Sequence, residues 1–208
     1  MLTPKENYLT AIKGGKPDWV PVFGEDANMF PPFIWDPDPE TMIDFCNVKW
    51  VQDEAGLMPD GQNPAMTDIT EWRDIIKFPD LSTIDWEKLD EEFHSGDYDP
   101  DKVDIAMANT AGIFLVPIDM MGWVDGMCAI IEEPEEYAAL VNAVTDFICE
   151  YIEYLGKYIR PDIIFSGDDI ASSVGPFISK ETFDEFFKDN FKRCLLYTSP
   201  SPRDMRRS

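Results

Sequence analysis

The sequence predicts an α/β protein built on a parallel sheet, and three successive stretches carry that prediction. Residues 134–155 place Tyr137, Leu140, Val141, Val144, Phe147 and Ile148 on one face, with Glu135, Glu136, Asp146 and Glu150 opposite. That pattern gives an amphipathic helix of about six turns. It breaks before Arg160-Pro161 and leads into an apolar strand at 162–165, which ends in Ser166-Gly167-Asp168-Asp169. A Gly175-Pro176 turn follows, then a helix capped by Ser179 with Phe183, Phe186 and Phe187 at a spacing of three to four. Helix, short turn, strand, polar tip and helix is the repeating unit of parallel α/β architecture.

From the amino end, Thr3-Pro4-Lys5-Glu6 supplies a cap, a proline at the first helical position and a capping-box glutamate. Leu9 and Ile12 are expected to be the buried stripe of this helix, and Gly14-Gly15 ends it. Residues 19–23 are the first strand candidate, with Glu25, Asp26 and Asn28 at its far end. Those three side chains either line a site or belong to a solvent-facing loop.

Residues 29–64, rich in proline and aromatics, read as a long loop or lid containing short elements: a helix opening at Pro39-Glu40 and an extended segment at 48–51. Trp35 and Trp50 either pack beneath it or meet a planar ligand. Short helices are expected within 69–78 and around Trp86 and Leu89. The acid-rich stretch 85–104 reads as a solvated surface with no calcium-loop spacing. Residues 103–107 and 113–118 are apolar segments, and Asp119 follows the second directly, ahead of Met120, Met121, Gly122 and Trp123. Asp119 and Trp123 are either pocket walls past a buried strand or the start of a helix.

Charge narrows the partners. With 41 acidic against 17 basic side chains the formal net charge is −24, which argues against nucleic acid or an anionic membrane surface. The cysteines Cys46, Cys128, Cys149 and Cys194 form no CxxC pair, and His94 is the only histidine, so a thiolate or histidine-rich metal site is not expected within this chain. No signal-like segment follows Met1 and no run of eighteen apolar residues occurs, which leads to the expectation of a cytoplasmic protein. Asp168 and Asp169 are the leading site candidates, because adjacent carboxylates at a strand end repel each other unless something uses them.

Residues 192–208 break the composition, with five basic side chains, one acid and Ser199-Pro200-Ser201-Pro202. The segment 193–208 resembles sequencing-adapter read-through and is expected to be a non-native or disordered tail, leaving 1–192 as the folded part.

The segments TPKENYLTAIKGGKPDWVPV, IFLVPIDMMGW and GDDIASSVGPFISKETFDEFF, in that order, resemble the uroporphyrinogen decarboxylase superfamily, which includes cobamide-dependent methyltransferases. The resemblance covers residues 3–192 and implies a (β/α)8 TIM barrel of which about the first half is present, with its site at the carboxyl ends of the strands. Where the decarboxylases carry Arg-Gln-Ala-Gly-Arg-Tyr, this chain has FGEDANMFPPF, acidic rather than basic. The resemblance therefore implies methyl transfer between a methylated corrinoid and a thiol or related acceptor, with zinc held by ligands of the barrel's second half. Decarboxylation of a porphyrinogen and non-catalytic corrinoid binding are the alternatives. It further implies Asp168 as the catalytic candidate, with Glu25, Asp26, Asn28, Asp119, Trp123 and Asp169 lining the pocket, and a small molecule or corrinoid protein as partner.

Overall fold

The structure is a computed structural model that describes residues 1–54, 56–109 and 112–197. Helix α1, Pro4–Ile12, opens with both hydrogen bonds of the capping box: Glu6 N–H donates to Thr3 Oγ1 at 3.2 Å and Thr3 N–H to Glu6 Oε2 at 3.0 Å. Its buried residues are Asn7 and Tyr8, whereas Ile12 is exposed. The reason is that Asn7 has backbone partners waiting: its amide donates to Trp19 O at 3.0 Å and accepts from Asp18 N–H at 2.7 Å. Those bonds tie α1 to the segment that follows.

That segment is not the first strand. Strand β1 is Ala27–Phe30, and Val20, Val22 and Phe23 are exposed. Pro21 removes a ladder donor in the middle of the expected run. Asp26 Oδ2 then accepts from Val22 N–H at 2.7 Å, and Gly24 turns the backbone at φ +83°, so the chain folds back before extending.

Beyond β1, a 3-10 turn at Phe33–Trp35 buries Trp35, whose indole donates to Ala108 O at 3.0 Å. Strands β2, Trp50–Gln52, and β3, Leu57–Pro59, pair antiparallel as a hairpin. No helix opens at Pro39-Glu40. Asp38 Oδ1 accepts from the Glu40 and Thr41 amides instead, holding a turn. Helix α2, Trp72–Ile75, and helix α3, Trp86–Phe93, complete this part, α3 being capped by Asp85.

Strand β4, Val103–Met107, is the centre of a three-stranded parallel sheet of order β1-β4-β5, where β5 is Ile163–Phe165. Ala27 to Phe30 lie in register with Val103 to Ala106, and Ile105 to Met107 with Ile163 to Phe165. Between β4 and β5 run α4, Leu115–Met121, α5, Trp123–Glu132, and α6, Pro134–Tyr154. The expected six-turn helix is thus α6, and its apolar face covers the sheet with Tyr137, Leu140, Ile148 and Tyr151 fully buried. Helices α7, Lys180–Phe186, and α8, Lys188–Tyr197, follow.

The apolar run 113–118 forms a turn and the start of α4 rather than a strand. Pro117 lacks the donor a central strand needs, yet near a helix start that donor has no intrahelical partner to lose. A closed (β/α)8 barrel is not formed by the described residues: the sheet is open at β1 and β5. Neighbouring strands rotate by about 20–25°, so three of them cannot curl into the eight-stranded cylinder of a barrel.

Residues 193–197 of the segment read as a tail are the last part of α8. Arg193 and Cys194 belong to α8, with Arg193 paired to Asp146 of α6 and Cys194 buried. The remainder of that tail, 198–208, lies outside the described residues.

Candidate functional site

The carboxyl ends of β4 and β5 and the amino end of α4 converge on one point. Asn109, just past β4, donates its side-chain amide to Gly167 O at 2.7 Å, clamping the two post-strand loops together. Asp168 then reaches across to the start of α4, where its Oδ2 accepts from Phe114 N–H at 2.7 Å. The approach is so close that a Cβ on Gly112 would lie 1.9 Å from Asp168 Cγ, so only glycine fits there. A carboxylate at a helix amino end also meets the positive end of the backbone dipoles.

Burial pushes the Asp168 carboxyl up to about 7, with the amides of Phe114, Leu115 and Ile113 opposing the rise and the charge of Asp169 adding to it. Its second oxygen, Oδ1, is buried and accepts no hydrogen bond among the described residues. Tyr137 of α6 lies within the field of Asp168, and its buried phenol is pushed up mainly by desolvation.

On the next turn of α4 stands Asp119, also pushed up to about 7, by burial first and then by the charges of Asp44, Asp168 and Asp169. Asp44 was not anticipated. It lies in the loop before β2 and accepts from Cys46 N–H at 2.8 Å, Val48 N–H at 3.0 Å and the Trp50 indole at 2.9 Å. Burial raises its carboxyl while those three donors oppose the rise. Cys46 beside it is buried, and desolvation together with Asp44 and Asp119 lifts its thiol well above the ordinary value, which makes it a neutral, unreactive thiol.

Of these groups Asp119 borders an open cavity of about 720 Å³. One wall is the β2–β3 hairpin with Trp50, Met58 and Asp60, and the other is Asp119, Trp123, Asp169 and Phe177. The volume suits a small organic ligand. Trp123 and Phe177 meet with ring centroids 4.8 Å apart. No Lys, Arg or His among the described residues lines the cavity.

The structure brings Asp119, Trp123 and Asp169 to this cavity, with Asp168 immediately behind it. It does not bring Glu25, Asp26 or Asn28 there. Because β1 begins at Ala27, Glu25 and Asp26 precede the strand and sit at its amino end. Asn28 lies within β1 and binds Asp104 Oδ1 at 2.8 Å and Asp99 O at 2.9 Å, in a framework that continues through Tyr98, Asp162 and Lys5. Nothing in the local sequence marked Asp44, whose place depends on the hairpin folding over α4. Trp50, named in the sequence for either packing or ligand contact, lines the cavity.

Among the described residues no group of three or more His, Cys, Asp or Glu side chains is arranged to hold a metal ion, and no helix is long and apolar enough to cross a membrane. No protein-family profile and no curated protein sequence matches the chain. Among solved structures, a methyltransferase from Methanosarcina mazei is similar in fold, with a TM-score of 0.62 at 14% identity over 96% of this chain and 68% of that one.

Proposed function

We propose that this chain is part of a methyltransferase of the uroporphyrinogen decarboxylase superfamily, built on a TIM barrel, that moves a methyl group to or from a thiol or related acceptor in partnership with a corrinoid. The observation that carries the reading is Asp119: a carboxyl raised to about 7, placed in an aromatic cavity at the carboxyl ends of a parallel sheet. A group titrating near neutrality is matched to taking a proton from an acceptor as it attacks a methyl group, and to returning it in the reverse direction. Asp44, held by three donors, keeps negative charge next to Asp119 and so keeps the proton affinity of Asp119 high. Asp168 fixes the start of α4 and thereby the position of Asp119. The fold likeness to the Methanosarcina protein supports the same class.

The cavity accepts a small methyl donor or acceptor. A corrinoid supplies the methyl-exchanging centre when bound, but with its side chains it is larger than a cavity of about 720 Å³, so it is assigned to a partner protein and no step is derived through it. Zinc has no ligand set among the described residues, and no step is assigned to it either. Porphyrinogen decarboxylation is disfavoured by the lining: a substrate with many carboxylates would face Asp60, Asp119 and Asp169 with no cation to neutralise it. The test follows the loss of methylcobalamin absorbance in the presence of small thiols and amines. The reading expects turnover by the chain that falls roughly 10²–10⁴-fold in Asp119→Asn. Absence of transfer to every acceptor, or porphyrinogen turnover, would refute it.

A further inference from the structure

We propose that the cavity between the β2–β3 hairpin and α4 binds an organic ammonium ion, so that the acceptor or product of the transfer is an amine rather than an anionic compound. This deepens the reading above and rests on it for the role of the cavity in catalysis. Three independent features of the lining lead there. The first is charge: Asp60, Asp119 and Asp169 border the cavity and no Lys, Arg or His among the described residues lines it. Asp60 is held in its ionised form, chiefly by hydrogen bonds from Asn63 and Gln62. Lys49 is close enough to Asp60 to act on its charge but is not part of the lining.

The second feature is the aromatic surface. Trp123 is about half exposed, at 48%, at the start of a helix that buries only Gly126, Ala129 and Ile130, and it is the aromatic residue that this helix contributes to the cavity. It leans on Phe177 at 59°, and Trp50 lines the same cavity. Tryptophan faces attract cations, and aromatic walls combined with carboxylates are the established way of holding methylated ammonium groups, whose bulk requires apolar contact and whose charge requires a negative field. The third feature is shape: at about 720 Å³ the cavity is open and of the size that takes a small organic molecule. A ligand that carries its own carboxylate would be repelled by the same walls.

Asp119 is faced by Asp44 and Cys46 from the loop before β2 and by Asp168 and Asp169 from the loop after β5. A cation entering this set favours the charged form of Asp119, so uptake is accompanied by proton release near neutral pH. The experiment is calorimetric titration of the purified chain with choline and with its neutral isostere 3,3-dimethylbutan-1-ol, in two buffers of different ionisation enthalpy. Saturable choline binding with proton release is expected, with the isostere at least about tenfold weaker. Trp123→Ala and Asp60→Asn, both at accessible positions, are each expected to weaken choline by about three- to tenfold, and Trp123→Phe by less. Equal binding of the two probes, or choline binding unchanged in both Trp123→Ala and Asp60→Asn, overturns the inference. If methyl passes to a thiol while choline fails to bind, this inference falls and the methyltransferase reading stands. Choline binding in a chain inert toward all methyl acceptors upholds the ammonium site and refutes both the methyltransferase reading and the amine's role in transfer.

Discussion

The Trp50 indole donates to the Asp44 carboxylate at 2.9 Å while the same residue lines the cavity. Substrate-facing surface and buried charge are therefore joined by one side chain. Asp44 has three N–H donors, whereas no hydrogen bond to the Asp119 carboxyl occurs among the described residues. Two nearby acids with such unequal support separate in their titration, and the proton resides on Asp119.

Trp50→Phe tests this arrangement. It keeps the apolar wall and deletes one donor to a largely buried carboxylate, which costs about 1–3 kcal/mol. Asp44 then titrates higher, its charge is less often present, and Asp119 titrates lower. Denaturant unfolding reads the first effect and a carboxyl-resolved NMR titration the second. An Asp119 titration unmoved by the substitution would show that Asp44 does not set its protonation.

The raised carboxyls also give stability a definite pH slope. Asp119 and Asp168 bind protons more tightly folded, at about 7, than unfolded, at the ordinary 3.8. Their contribution is most favourable below about pH 4, declines as pH rises toward 7 and levels off above it. Each group contributes a slope of at most about 1.4 kcal/mol per pH unit. The carboxylates held below the ordinary value, such as Asp38, Asp68 and Asp80, act below this window. Urea midpoints at pH 5 to 8 are expected to fall with pH in the wild type and to fall less in Asp119→Asn, which gains about 1–3 kcal/mol over the wild type at pH 8. Parallel curves for the two proteins would contradict the raised value for Asp119.

What the sequence disclosed depended on whether the determinant was local. Thr3 with Glu6, Ser179, and the period of residues 134–154 each specify a helix within a few turns, and all three formed. The apolar segments 103–107 and 113–118 looked alike in the sequence, yet the first is strand β4 and the second leads into α4, so an apolar run alone did not decide between them. The first strand failed on a single residue, Pro21, whose missing donor outweighs the β-branched valines beside it. Asp119 was read as either a pocket wall past a strand or part of a helix start; it lines the cavity from a helix, whose start is fixed by Asp168, 54 residues from Phe114. Asp44 was invisible because its significance comes only from the hairpin closing over α4.

Asn28→Ala separates framework from site. Asn28 was a pocket candidate, yet its amide holds Asp104 and the Asp99 backbone at the amino end of the sheet. Removing it leaves the partly buried Asp104 carboxylate with one fewer donor and is expected to cost about 1–3 kcal/mol in unfolding. Affinity for cavity ligands should stay within about twofold of wild type, because no bond from Asn28 reaches the cavity. A large loss of ligand affinity in a variant that unfolds like the wild type would return Asn28 to the site.

Gly112→Ala is the sharpest test of how the site is assembled. The added methyl would meet Asp168 at Cγ, Oδ1 and Cβ, all within 2.3 Å, so the loop after β5 must move away from α4. That displacement breaks the bond from Phe114 N–H to Asp168 Oδ2 and releases the start of the helix that carries Asp119. Overpacking and a lost charged hydrogen bond together place the cost at about 2–4 kcal/mol. Because Asp168 is also one of the charges that raise Asp119, its withdrawal lowers the Asp119 titration as well. The interpretation depends on a double variant: in an Asp168→Gly background the methyl has no Cβ or carboxyl to strike, and most of the added cost of Gly112→Ala should vanish. Unfolding free energies for the four proteins of this cycle measure the coupling, expected at about 1–3 kcal/mol. Strict additivity would mean that Gly112 is required for the backbone of its own turn and not for the approach of Asp168.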